Sequence, residues 1–151
     1  MHLAQYRRSA RHGSVAAVLT VLLAAGLAAC SSDDGDTMKS WSEKGGKEQA
    51  RVIGQDIQVL LGATGGSAEV ADRCRRVLDD VKAAKAYRAV PDKGAQSLWQ
   101  ETLDRTQTAA TTCTQNTDTL TGGSKLGEVA EAQSSYHLFA QRISVLAESG
   151  S

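Results

Sequence analysis

The chain has 151 residues, enough for one domain, with 17 basic and 17 acidic side chains. An aromatic content of 4% and a single Pro exclude a ring-filled β-sandwich, and 41% apolar residues exclude wholesale disorder. Without Arg7, Arg8 and Arg11, which lie in a segment expected to be removed, 14 basic groups face 17 acidic ones, so the clustered basic face that nucleic acid requires is missing.

Residues 1–14 carry three arginines and no acid, and residues 15–29 are apolar apart from Thr20 and Gly26. As a helix, this apolar run reaches about 23 Å, short of the ~30 Å hydrocarbon core, so it reads as an export signal rather than a membrane span. The segment ends Leu27-Ala28-Ala29-Cys30. This resembles the lipobox of bacterial lipoprotein signal peptides, in which small residues precede an invariant Cys. The resemblance implies cleavage between Ala29 and Cys30 and a diacylglyceryl group on the Cys30 thiol. It further implies a protein held by membrane lipid at the extracytoplasmic face of the cell membrane. It covers the signal alone and names neither fold nor activity for the rest. The alternative is an ordinary secretory signal with a Cys after an Ala-x-Ala-like site. Two or more acyl chains hold a protein stably at a membrane, where one does so only marginally. Arg7-Arg8 is followed by Ser9-Ala10-Arg11 rather than an apolar pair, which leaves general and twin-arginine export both open.

Residues 30–47 then read as the lipidated Cys and a flexible linker. The stretch is rich in Ser, Asp and Gly and nearly free of apolar residues. Seventeen flexible residues have a root-mean-square span of roughly 20–25 Å, which holds a domain just clear of the head groups. Trp41 is the exception, with two readings: it lies at the membrane interface, or it docks on the domain.

Four segments with helical period follow, over residues 48–148. In the first, Ala50, Ile53, Ile57, Leu60 and Leu61 share a face, and Gly62 supplies a stop. The second starts at Ser67 as N-cap, and Val70, Cys74, Val77, Leu78, Val81, Ala84 and Tyr87 form its stripe. Pro91 forbids its continuation. The third follows residues 91–94, with Ala95, Leu98, Trp99, Leu103, Ala109, Ala110, Cys113 and Leu120 inward. Its second half is dense in Thr, each costing up to ~0.7 kcal/mol relative to Ala. A strand over residues 112–121 is rejected, because Gln115, Asn116 and Asp118 bury nothing. The fourth begins after Gly122-Gly123 with Ser124 as cap. Val129, Ala132, Tyr136, Phe139, Ile143 and Leu146 step by three and four, a heptad seam. The tail, residues 149–151, is expected to fray, with fraying beginning at Glu148.

Short connections make successive helices antiparallel neighbours, so the expected fold is all-α, an up-down four-helix bundle after a flexible tether. Cys74 and Cys113 lie equidistant from the turn at 91–94 and on apolar stripes, so they are expected to form a disulfide joining the second and third helices. The alternative, a redox pair, lacks a Cys-x-x-Cys spacing and a Cys at a helix N-terminus.

His137 is the only histidine left after signal removal. One histidine builds no metal set, and no cofactor is expected. Gly122-Gly123-Ser124-Lys125 resembles a phosphate loop only superficially, lacking the glycine spacing and a preceding strand. Gly-x-Ser-x-Gly is absent, no nucleophile–base pair is evident, and no enzyme is expected. Arg73, Arg75 and Arg76 make the second helix locally basic, with Asp72, Asp79 and Asp80 interleaved, as on a solvated face. These arginines, with His137, are nonetheless the first candidates for a ligand or partner surface. Two functions follow. One is a non-enzymatic binding or accessory module of the cell envelope with a protein partner. The other is a small-ligand or metal-binding bundle serving a transporter, with Gln133, Ser134 and His137 as polar groups on the fourth helix.

Overall fold

The computed structural model describes residues 34–63, 67–115 and 123–149. The expected signal peptide, Cys30 and Leu120 lie outside these residues, as do residues 64–66, where a turn is expected, and the last two residues. The elements run α1 (Asp34–Trp41), a π-helical turn (Ser42–Gly46), α2 (Lys47–Leu61), α3 (Ser67–Ala86), α4 (Lys93–Gln115) and α5 (Gly123–Ser149). The four predicted helices are α2 to α5, and there is no strand among the described residues. None of the described helices is long and apolar enough to cross a membrane.

Residues 34–47 are not a flexible linker. They are helical, and Met38 and Trp41, three residues apart, are buried together. Composition pointed to a tether because few of the side chains there are apolar. The two glycines are not spacers either. Gly45 has φ 115°, a left-handed conformation that side-chain-bearing residues rarely adopt, and it kinks the chain into α2. Gly46 is buried under the Trp41 indole, where a Cβ would lie 2.3 Å from ring atoms. Trp41 therefore docks on the domain. Its Nε1 donates to the Arg88 carbonyl at 3.3 Å, the Tyr87 hydroxyl donates to the Lys44 carbonyl at 2.6 Å, and the Arg88 guanidinium donates to the Ser40 carbonyl at 2.6 Å. These bonds clasp the N-terminal segment onto the α3–α4 loop.

In α2, Ala50, Ile53, Ile57 and Leu60 are buried at the expected three- and four-residue steps. Gly62 ends the helix at φ −89°, without the left-handed turn that a glycine stop often supplies. In α3, Val70, Cys74, Val77, Val81 and Ala84 are buried. Asp92 caps α4: its Oδ1 accepts the Ala95 N–H at 2.7 Å. The same carboxylate takes a two-point contact from Arg142 of α5, at 3.1 and 3.0 Å. Those bonds hold the Asp92 carboxyl below its ordinary pKa, the Arg142 hydrogen bond first and the Ala95 N–H next.

The Thr-rich α4 is unbroken to Gln115. Thr102, Thr106, Thr108 and Thr111 each donate the hydroxyl to the carbonyl four residues back, at 2.7 to 3.0 Å. This lets Thr102 and Thr106 sit fully buried on the inner face without an unpaired oxygen. In α5, Val129, Ala132 and Phe139 are buried and Tyr136, Ile143 and Leu146 pack against the core. Helix extends through Glu148 to Ser149, beyond the expected onset of fraying. Trp99 and Phe139 stack with ring centroids 4.7 Å apart. Cys74 and Cys113 are disulfide-bonded, their Cα atoms 6.0 Å apart. α4 packs along both α3 and α5, and α2 touches α3, α4 and α5.

Candidate functional site

The apolar stripe of α2 is interrupted by one acid. Asp56 follows Ile53 by three residues, which puts it on the face turned toward α3, and it is only 8% exposed. Opposite it, α3 presents Arg73, Arg76, Val77 and Asp80, spaced by three, four and seven residues and hence along one side of the helix. With Val59 and Gly62 of α2, these residues line a cleft of about 440 Å³ between the two helices. Cys74, next to Arg73, is buried in the disulfide to α4, so the wall carrying the arginines is covalently fixed from behind.

The cleft is lined by charges of both signs. Asp56 Oδ2 is buried and has no hydrogen-bond partner. Burial, and after it the neighbouring Asp80 charge, push the Asp56 carboxyl up to about 7. Near neutral pH this group is therefore divided between an acid that donates a hydrogen bond and a carboxylate that accepts one. The three arginines of α3 have different circumstances. Arg73 is paired with Glu69, and Arg75 with Asp72 at 3.0 Å. Arg76 is exposed and has no ion-pair partner among the described residues.

Of the residues singled out in the sequence, Arg73 and Arg76 thus belong to one cleft. Arg75 is turned to its own helix surface and donates from Nε to the Ala71 carbonyl at 3.3 Å. His137 lies exposed on α5, its ring edge-on to Tyr136 and outside the cleft. Gln133 is half-buried and Ser134 exposed on the same helix. Asp56 was missed, and Asp80 was read only as part of a solvated face. The signal that marked Asp56 is its position, a lone carboxylate on the buried edge of an otherwise apolar stripe. Glu128 Oε2 is a second buried oxygen without a partner, on α5. No cluster of three or more His, Cys, Asp or Glu side chains suited to a metal ion occurs among the described residues. In comparisons with protein-family models, curated proteins and solved structures, nothing matches this chain.

Proposed function

We propose that this chain is an exported lipoprotein held at the extracytoplasmic face of the cell membrane by acylated Cys30, with a non-enzymatic binding module of the envelope as its domain. The Leu27-Ala28-Ala29-Cys30 ending behind a basic and then an apolar segment supports the anchor. We also infer that α2 to α5 form an antiparallel up-down four-helix bundle. Its support is the packing of α4 between α3 and α5, the contact of α2 with α5, and the disulfide across α3 and α4.

The buried, unpartnered Asp56 carries the binding reading. A buried polar oxygen without a partner costs about 1–3 kcal/mol, and a ligand that reaches it from the adjoining cleft and supplies the bond recovers that cost. The recognition surface is therefore the α2–α3 cleft, and its occupant brings a hydrogen-bond donor to Asp56. An envelope protein presenting a side chain is the first reading. A small solute is the second, favoured by a cleft of molecular size beside the buried Asp56.

Two arms test this. A fatty-acid analogue fed to producing cells should label the full chain and fail to label Cys30→Ala; equal labelling of both sinks the anchor. A photo-crosslinking residue at Val59, which lines the cleft, should capture a discrete species in native membranes, and Asp56→Ala or Arg76→Ala should abolish that capture. Capture no different from that of a crosslinker at His137 sinks the recognition surface.

A further inference from the structure

We propose that the α2–α3 cleft binds a small zwitterion, with an ammonium group held by Asp56 and Asp80 and a carboxylate held by Arg76. This rests on the reading of that cleft as the recognition site. The first ground is the mixed donor set. Two carboxyl groups from two helices and two guanidinium groups from α3 line one space. A simple anion entering it would be opposed by Asp56 and Asp80, and a simple cation by Arg73 and Arg76. A molecule carrying both signs is attracted at both ends.

The second ground is the burial of Asp56. Its Oδ2 is buried and accepts no hydrogen bond, and Asp56 is one of the residues that line the cleft. An ammonium donates three N–H groups, enough to bond Asp56 and reach Asp80 together, and its charge relieves the repulsion between the two carboxylates. A metal ion fits less well, because hard cations take six or more oxygens and no three metal-ligating side chains converge among the described residues.

The third ground is Arg76. Its neighbours Arg73 and Arg75 are engaged along α3, whereas Arg76 keeps its fork for a planar carboxylate. The cleft volume, about 440 Å³, lies within the range of small-molecule sites.

The test uses the full chain in detergent, with unfolding followed by the fluorescence of Trp41 and Trp99, both buried in the core. The probes are glycine, 4-aminobutyrate and 6-aminohexanoate, whose ammonium-to-carboxylate span increases stepwise. Butylamine and butyrate are the single-sign controls. At least one zwitterion should raise the unfolding midpoint with increasing concentration and bind at least tenfold more tightly than either control. Asp56→Asn and Arg76→Ala should each weaken that binding tenfold or more. The proposal is overturned if no zwitterion shifts the midpoint at millimolar concentration, if butylamine does as well, or if the shift survives in Asp56→Asn. The two readings fail separately. A cleft-dependent crosslink from Val59 with all three zwitterions silent keeps the recognition surface and removes the zwitterion. Silence in both removes both.

Discussion

Two aspartates are shifted in opposite directions by their surroundings. Asp92 is held below its ordinary pKa by Arg142 and the α4 cap. Its contribution is present above the unfolded carboxylate pKa and is lost as pH falls through the native value. Asp56 is raised to about 7 by burial and by Asp80. Between roughly pH 4 and pH 7 the folded state holds a proton at Asp56 that the unfolded chain has released, so stability falls as pH rises through that window. Arg73 and Arg76 also line the cleft and moderate the effect, and from α5 the Tyr136 ring faces Gly54 of α2. Urea unfolding from pH 4 to 9 should show stability greatest near the acid end of this window. Asp56→Asn should flatten the decline and gain about 2 kcal/mol at pH 8. An unchanged slope in the variant would show that Asp56 does not titrate in the folded protein. At the same scale, a Cβ at Gly54 would lie 2.6 Å from the Tyr136 ring and hydroxyl. Gly54→Ala should cost about 1–3 kcal/mol by overpacking, and Tyr136→Ala in the same chain should recover part of it. A Gly54→Ala chain as stable as wild type would mean that α2 and α5 separate cheaply.

At the scale of elements, the clasp of α1 and the π-helical turn is held by one buried indole and three hydrogen bonds to carbonyls. Trp41→Ala should destabilise the fold by about 3–5 kcal/mol and raise amide exchange in α1 before α4 is affected. Exchange in α1 no faster than in wild type would show that Trp41 is not its fastener. The α3–α4 pair owes its cohesion to a different device. The disulfide closes a loop with a sequence separation of 39 residues, for which chain entropy gives about 4 kcal/mol. The double variant Cys74→Ala/Cys113→Ala should lose a comparable amount in denaturant unfolding. A loss well under 1 kcal/mol would mean that the unfolded chain keeps α3 and α4 close without the bond. Threonine hydroxyls bonded to carbonyls four residues back explain why α4 carries so many poor helix formers. The buried ones bring their own hydrogen-bond partners along.

Across the molecule, the four long helices were legible because apolar periodicity is repeated in each, and the cysteine pair because it is symmetric about the Pro91 turn. The N-terminal helix was not legible. Its burial depends on Trp41 meeting the α3–α4 loop and on α1 lying against α5, long-range contacts that no local window contains. The inward Thr102 and Thr106 were hidden for a related reason, since hydroxyl back-bonding makes a polar residue acceptable where a pattern of apolar residues is being sought. Half of the candidate site was visible as an arginine run on one helix. Asp80 was visible in the same run but read as part of a solvated face, and Asp56 was not, because it belongs to another helix and only packing brings it to the α3 cleft wall.

The disulfide also has a mechanical meaning. A chain tethered at one end and gripped elsewhere is stretched along its backbone, and the 39-residue span between Cys74 and Cys113 is withheld from that stretch. At ~3.5 Å per residue, roughly 130 Å of contour stays locked inside a covalent ring however hard the ends are pulled. Tyr87 and Arg88, which hold the N-terminal clasp, lie on that ring. Tension carried along the backbone from the N-terminal side crosses from Cys74 to Cys113 through the bond, so residues 75–112 cannot be drawn out.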